Sequence, residues 1–359
     1  MKCPYKTNYT KIKKHLINIM LLFLLMIQFS SCKKEEQKNH NTKSGVLIVN
    51  EGNFGSGNGS LSLYDRKDKT LTKDIFKESN GFYIGDVVQS AVVYDSLILV
   101  AVNNSSKVEV ILKNTFKRII SITIPNSSPR FIQPLNNSEA LVTELYANKI
   151  WLINFRTGTV VRSIDVSGET NQMILSGNKI FVTERTKFNS SFVAQIRVIN
   201  TIDFTTIKNI TLQTEPNSIA MDNSGNIWTL TDEKATESKT AMLVKISSSS
   251  LSAVDSFSFV SGIAPRNLSH LKSNNSLFYS ISGNIFKYTI GNVSLDSLPF
   301  IQTNSTSIYS LGMDNTNNEI YAADAIDYVQ SSRILRYNAS AQQLDKFTAG
   351  IISTNFLFY

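Results

Sequence analysis

"PRFIQPLNNSEALVTELYANKIWLINFRTGTVVRSIDV", residues 129–166, decides the fold class. Short runs of Val, Ile, Leu and Phe alternate with clusters of Asn, Ser and Gly, a rhythm that suits β-strands joined by tight turns and not amphipathic helices. The spacing predicts four strands, at 130–134, 140–144, 149–154 and 159–165, with "RTG" turning the chain between the last two. The same order returns at "PNSIAMDNSGNIWTLTDE", at "PRNLSHLKSNNSLFYSISGNIFKYTI", which supplies three strands with Ser282 and Gly283 as a tight connection, and at "SIYSLGMDNTNNEIYAAD" followed by "SRILRYN". Repeat starts near Val88, Pro129, Thr170, Pro216, Pro265 and Ser307 give a period of roughly 40–50 residues with four strands each, the length of a propeller blade.

A blade cannot bury both faces alone, so the repeats must close into a ring. "GVLIVNEG", "GSLSLYD" and "TLTKDIF" near the start supply three strands of a first blade, and "IISTNFLFY" at the end is an apolar strand left over. Pairing residues 351–359 with the strand at 46–49 completes an all-β, seven-bladed β-propeller over 45–359 by three-plus-one closure, and removes an exposed sheet edge. A two-sheet sandwich would give regular strands as well, but it does not explain the displaced strand.

Composition agrees with a folded domain: of 359 residues, 42% are hydrophobic and 18% charged. The formal charge of +8 suggests nucleic acid only until the lysines are placed. Lys2, Lys6, Lys11, Lys13 and Lys14 all precede an apolar run, and without residues 1–31 the count is 31 basic against 28 acidic. The remaining chain is nearly neutral, so no polyanion-binding stripe is expected.

That basic start, the apolar stretch at 16–29 and the small residues Ser30 and Ser31 before Cys32 read as a signal peptide over 1–31. The alternative is a short uncleaved anchor. "QFSSC" resembles the lipobox of bacterial lipoproteins, although Phe29 stands where Leu is usual, and implies a lipid on Cys32. Residues 32–44 then form a polar, lipidated tether, whose Glu35 and Glu36 resemble the acidic signal that exports lipoproteins to the outer face of the outer membrane. A merely hydrophilic linker is the bland alternative.

"VLIVNEGNFGSGNGSLSLYD", residues 46–65, the blade openings in Pro-Arg or Pro-Asn, and the lipobox together resemble the YncE-like propeller lipoproteins of the DUF5074 type. The resemblance spans essentially all of the mature chain, and the "NEGNFG" loop is its most specific part. It implies a seven-bladed propeller and, because the family includes a surface cobalamin-binding protein, a corrinoid ligand. The long connections around "TERTKFNSSFVAQ" and "TDEKATESKTAM" depart from a plain blade and can reshape a pocket.

Catalytic parts are scarce. After Cys32 the chain has no cysteine, and its only histidines are His40 in the tether and His270 in an apolar strand of the sixth blade. Zinc, haem and thiol chemistry therefore lack a ligand set. No G-x-S-x-G elbow supports a serine hydrolase. Asp232 with Glu233, or Asp324 with Asp327, could hold calcium, but neither has the dense oxygen spacing of a dedicated loop. "EGNFGSGNGS" opens no helix, so a phosphate cradle is disfavoured against a hairpin loop with φ > 0 at Gly52, Gly55, Gly57 and Gly59.

In a propeller, loops between second and third strands share one face with the loops that open each blade. The former carry Asn53 and Phe54, Asn103 and Asn104, Glu144 with Tyr146 and Asn148, Glu184 with Arg185, Asp232, and Asp324 with Tyr328; the latter carry Tyr83, Arg130, Asn171 with Gln172, Asn217, Arg266 and Tyr309. The predicted ligand-binding set is Asn53, Phe54, Tyr83, Arg130, Tyr146, Gln172, Arg185, Asn217, Asp232, Arg266, Tyr309 and Tyr328. Amides that both donate and accept, with flat aromatic area, suit a large, nearly neutral ligand rich in amides, such as a corrin ring. The expectation is a non-enzymatic outer-membrane surface lipoprotein that binds cobalamin or a related corrinoid as transported ligand, with no cofactor or metal of its own. It delivers that ligand to a TonB-dependent transporter. A cell-surface scaffold or adhesin binding protein or glycan is the alternative; a propeller hydrolase or lactonase comes third.

Overall fold

The computed structural model describes residues 45–186 and 193–359, and in it the repeats form seven antiparallel sheets. Each sheet is one blade. The innermost strands are Ser353–Phe358, Val88–Tyr94, Pro129–Pro134, Glu169–Ser176, Pro216–Met221, Arg266–Leu271 and Ile308–Asp314, in blades one to seven. Every inner strand packs against those of both neighbouring blades, so the circle closes. Within blade three the observed strands are Pro129–Pro134, Glu139–Glu144, Lys149–Asn154 and Thr159–Asp165, within a residue of the expected bounds.

Closure follows the route the chain ends require. Ser353–Phe358 pairs antiparallel with Gly45–Asn50, Leu47 opposite Leu357. Asn50 fastens the join: its Oδ1 accepts from the Gly350 amide at 3.1 Å and the Ser353 hydroxyl at 2.7 Å. On the same seam, the buried Arg66 guanidinium ion-pairs with Asp314 and donates to the Tyr359 carbonyl.

The core lies between blades. Second strands such as "LILVAV" are buried along their whole length, whereas outer strands such as "TIKNIT" are largely exposed. One cluster joins Leu99 and Val110 of blade two to Val142 and Ile153 of blade three, and equivalent clusters recur around the ring. Each fully buried aliphatic side chain contributes about 1.5–3 kcal/mol. Polar stitches between inner strands hold the blades in register: Ser90 Oγ donates to the Arg130 carbonyl, Asn267 Nδ2 to Ile308 and Ser310 Oγ to Ser353.

Blade six departs from the four-strand repeat and keeps the three strands read in its own segment. Where the fourth would run only Ile285 and Ile301 bridge. The sequence between them explains this, because Gly291 takes φ 108° and Pro299 has no N–H to give a ladder. One helix, Ile75–Asn80, follows the short outer strand of blade one, capped by the Asp74 side chain at Lys77 N and by left-handed Gly81.

The described residues 45–186 and 193–359 belong to one compact unit. The signal peptide, Cys32 and the tether lie outside the described residues, as do positions 187–192 of the long blade-four connection. No helix among the described residues is long and apolar enough to cross a membrane.

Candidate binding mouth at the inner-strand bulges

Each inner strand carries one residue too many near its start. In blade five Pro216 faces Thr231 and Ser218 faces Leu230, leaving Asn217 without a partner across the ladder. Gln89, Tyr309 and Thr354 are the extra residues of blades two, seven and one. In the other three blades two residues share one opposing position: Arg130 with Phe131, Asn171 with Gln172, and Asn267 with Leu268. A bulge breaks the alternation of faces and re-aims a side chain. Repeated at the same height around the ring, it gives the mouth of the channel a girdle of polar groups. Pro129 and Pro216 open their strands just before the bulge, where a missing N–H costs no ladder bond.

Two networks tie the girdle to the loops above it. Glu51, the buried glutamate of the "NEGNFG" loop, accepts from Gln89 Nε2 and from the Tyr309 hydroxyl, both at 2.9 Å. Burial pushes its carboxyl above the ordinary range and, with the neighbouring Glu51, pushes the Tyr309 hydroxyl up as well. Across the ring Asp232 accepts from Arg185 at 2.9 Å and Asn217 at 2.8 Å, and ion-pairs with Arg266. Arg185 also reaches Glu215 at 3.0 Å and Glu169 at 3.9 Å. Burial raises the Glu169 pKa and lowers that of Arg266. Sequence reasoning had missed Glu51, Gln89, Glu169 and Glu215; Gln89 is a polar residue out of phase within its strand, and the three glutamates stand at strand ends.

Exposed aromatic side chains stand among the loops of this face: Phe54 at 78%, Tyr146 at 64%, Tyr83 at 54% and Tyr328 at 44% of full exposure. Asn53 donates to the Tyr328 carbonyl at 2.8 Å, and Tyr309 meets the Tyr328 ring edge-on at 5.8 Å. The Gly-rich loop is pinned, because Asp86 accepts from the Gly55 amide at 2.9 Å and the Gly57 amide at 3.3 Å. Gly52, Gly55 and Gly57 have positive φ as expected, but Gly59 does not. It is needed for space: a Cβ there would lie 2.5 Å from Val88 Cγ2.

Other polar residues of these loops serve the fold. Glu144 turns inward to accept from the Ser128 amide at 2.8 Å, and Glu184 is fully buried, ion-paired with Arg197 at 2.8 Å. Asn103 donates to the Pro129 carbonyl, and Gln172 accepts from Ile219 N at 3.0 Å. Tyr83 is turned to Lys77, whose ammonium lies 3.8 Å over its ring. Asp324 pairs with Arg333, while Asp327 accepts from the Gln330 side-chain amide and from the backbone amides of Gln330 and Val329, which holds its pKa down to about 2. Among the described residues no three His, Cys, Asp or Glu side chains gather to hold a metal. His270 sits at the far end of its strand from Arg266, 3.1 Å from Asn275 Oδ1, and burial lowers its pKa.

The family model "Domain of unknown function (DUF5074)" matches residues 44–351. The chain belongs to the DUF5074 family. No protein of curated function matches this DUF5074 chain. Its fold is similar to that of a quinoprotein alcohol dehydrogenase-like protein from Bacteroides thetaiotaomicron, at 18% identity and TM-score 0.70, covering 89% of this chain and 79% of that one. Virginiamycin B lyase from Staphylococcus aureus is similar at 14% identity and TM-score 0.56, over 74% and 85%. The Pan2 WD40 domain of Neurospora crassa is similar at 15% identity and TM-score 0.58, over 79% and 83%. At such identities the likeness shows the propeller fold alone.

Proposed function

We propose that the protein is a non-enzymatic surface lipoprotein that captures cobalamin or a related corrinoid at the mouth and hands it to a TonB-dependent transporter. The observation that carries this reading is the girdle: the inner strands present Thr354, Gln89, Arg130, Asn171, Asn217, Asn267 and Tyr309 at one height. A macrocycle fringed with amides can pair with the groups of this ring that internal bonds leave free, Arg130 and Asn171 among them, and the exposed aromatic side chains supply flat area for its faces. Anchoring and handover rest on the N-terminal sequence, where Cys32 carries the lipid.

Uptake of labelled cyanocobalamin tests the whole reading in cells. Deleting the chain should slow uptake at limiting vitamin, and Cys32→Ala should release the protein from membranes and slow uptake equally. Unchanged uptake in the deletion strain, with no second propeller able to replace it, would contradict the transport role. Capture of a protein or glycan by the same face would then favour the scaffold reading.

A further inference from the structure

Three arginines of this face already have partners: Arg185 with Glu215 and Asp232, Arg266 with Asp232, and Arg333 with Asp324. Arg130 differs. Its side chain makes no hydrogen bond or ion pair among the described residues; its Nε is buried without a hydrogen-bond partner, as are those of Arg185 and Arg333, but only those two have their terminal nitrogens paired. Glu51 and Glu169 attract it only through space. Glu51 is in addition occupied with Gln89 and Tyr309. A permanent cation with an unmade hydrogen bond at a partly buried site is costly. A planar fork of donors recognises carboxylate or phosphate oxygens above other groups.

We infer that Arg130 is the seat of an oxyanion, a phosphate or carboxylate oxygen carried by the ligand that fills the mouth. This rests on the mouth being a ligand site, and it adds a charged anchor that the amide and aromatic contacts do not provide. Asn171, the bulge residue of the next blade, has its Oδ1 buried and unpartnered. Turning that amide over puts an NH2 donor in the place of the unpartnered oxygen.

The test uses the compact unit from His40, labelled with nitrogen-15, and inorganic phosphate as probe. One arginine Nε–H resonance, missing from Arg130→Gln, should move saturably with phosphate and stay still in equal chloride; Arg130→Lys should retain weakened phosphate binding by calorimetry. Phosphate that leaves this resonance unmoved overturns the assignment. A second arm compares cyanocobalamin with cobinamide, which lacks the nucleotide loop and its phosphate. The unsubstituted protein should prefer cyanocobalamin by about tenfold or more, and Arg130→Gln should lose that preference. Equal affinities together with a phosphate-insensitive Arg130 remove the oxyanion seat and leave corrinoid capture standing. A phosphate-sensitive Arg130 with no corrinoid binding keeps the seat and removes the corrinoid.

Discussion

Glu51 makes the mouth sensitive to pH. Its carboxyl is raised above 4.5 by burial, so its contribution to stability is full below that value and is lost as pH rises through the folded-state pKa. Glu51→Gln keeps an acceptor for Gln89 and Tyr309 and removes the charge. The melting temperature of the variant, relative to the unsubstituted protein, should therefore be more favourable at about pH 7.5 than at about pH 4; an equal difference at both would show that Glu51 does not carry the dependence. Phe54 tests recognition in the same way. It is 78% exposed, so Phe54→Ala should leave stability unchanged while weakening ligand binding by about 1–2 kcal/mol, with Lys67→Ala as the neutral control. At this scale the sequence shows that Phe54 and Tyr146 lie in loops, and both stay in solvent. It does not show where a polar loop residue turns inward: nothing in "VTELYAN" or "VTERTKF" shows that Glu144 and Glu184 bend back to cap the connection before their own blade.

The bulged inner strand is the element that makes the site. In blade five, removing Asn217 leaves Pro216 opposite Thr231 and Ser218 opposite Leu230, so the ladder heals without flipping the strand. The deletion variant should fold cooperatively, lose the bond to Asp232 and bind ligand about tenfold or more weakly. Loss of cooperative melting would show that the extra residue is needed for the fold. Strand positions were legible because alternation and turn residues are local signals; the bulges were not, because one inserted residue is visible only against its partner strand.

At the scale of the molecule, stability is shared around a ring that a single strand completes. Ser353–Phe358 supplies one edge of blade one, packs on the inner strands of blades two and seven, and covers Leu47 and Val49. Gly312 lets it approach: a Cβ there would lie 2.8 Å from Phe356 Cβ. Truncation after Gly350 should expose that edge and the apolar face beneath it, lowering the melting temperature by many degrees or causing aggregation; an unchanged melt would contradict the closure. The closure was legible because the N-terminal segment falls one strand short of a blade and the C-terminal segment has one to spare. Calorimetry of the unit from His40 with cyanocobalamin tests the central claim most directly. The account predicts a single one-to-one isotherm that needs no metal and weakens in Phe54→Ala and Arg130→Gln; no heat of binding at high micromolar concentration would contradict it.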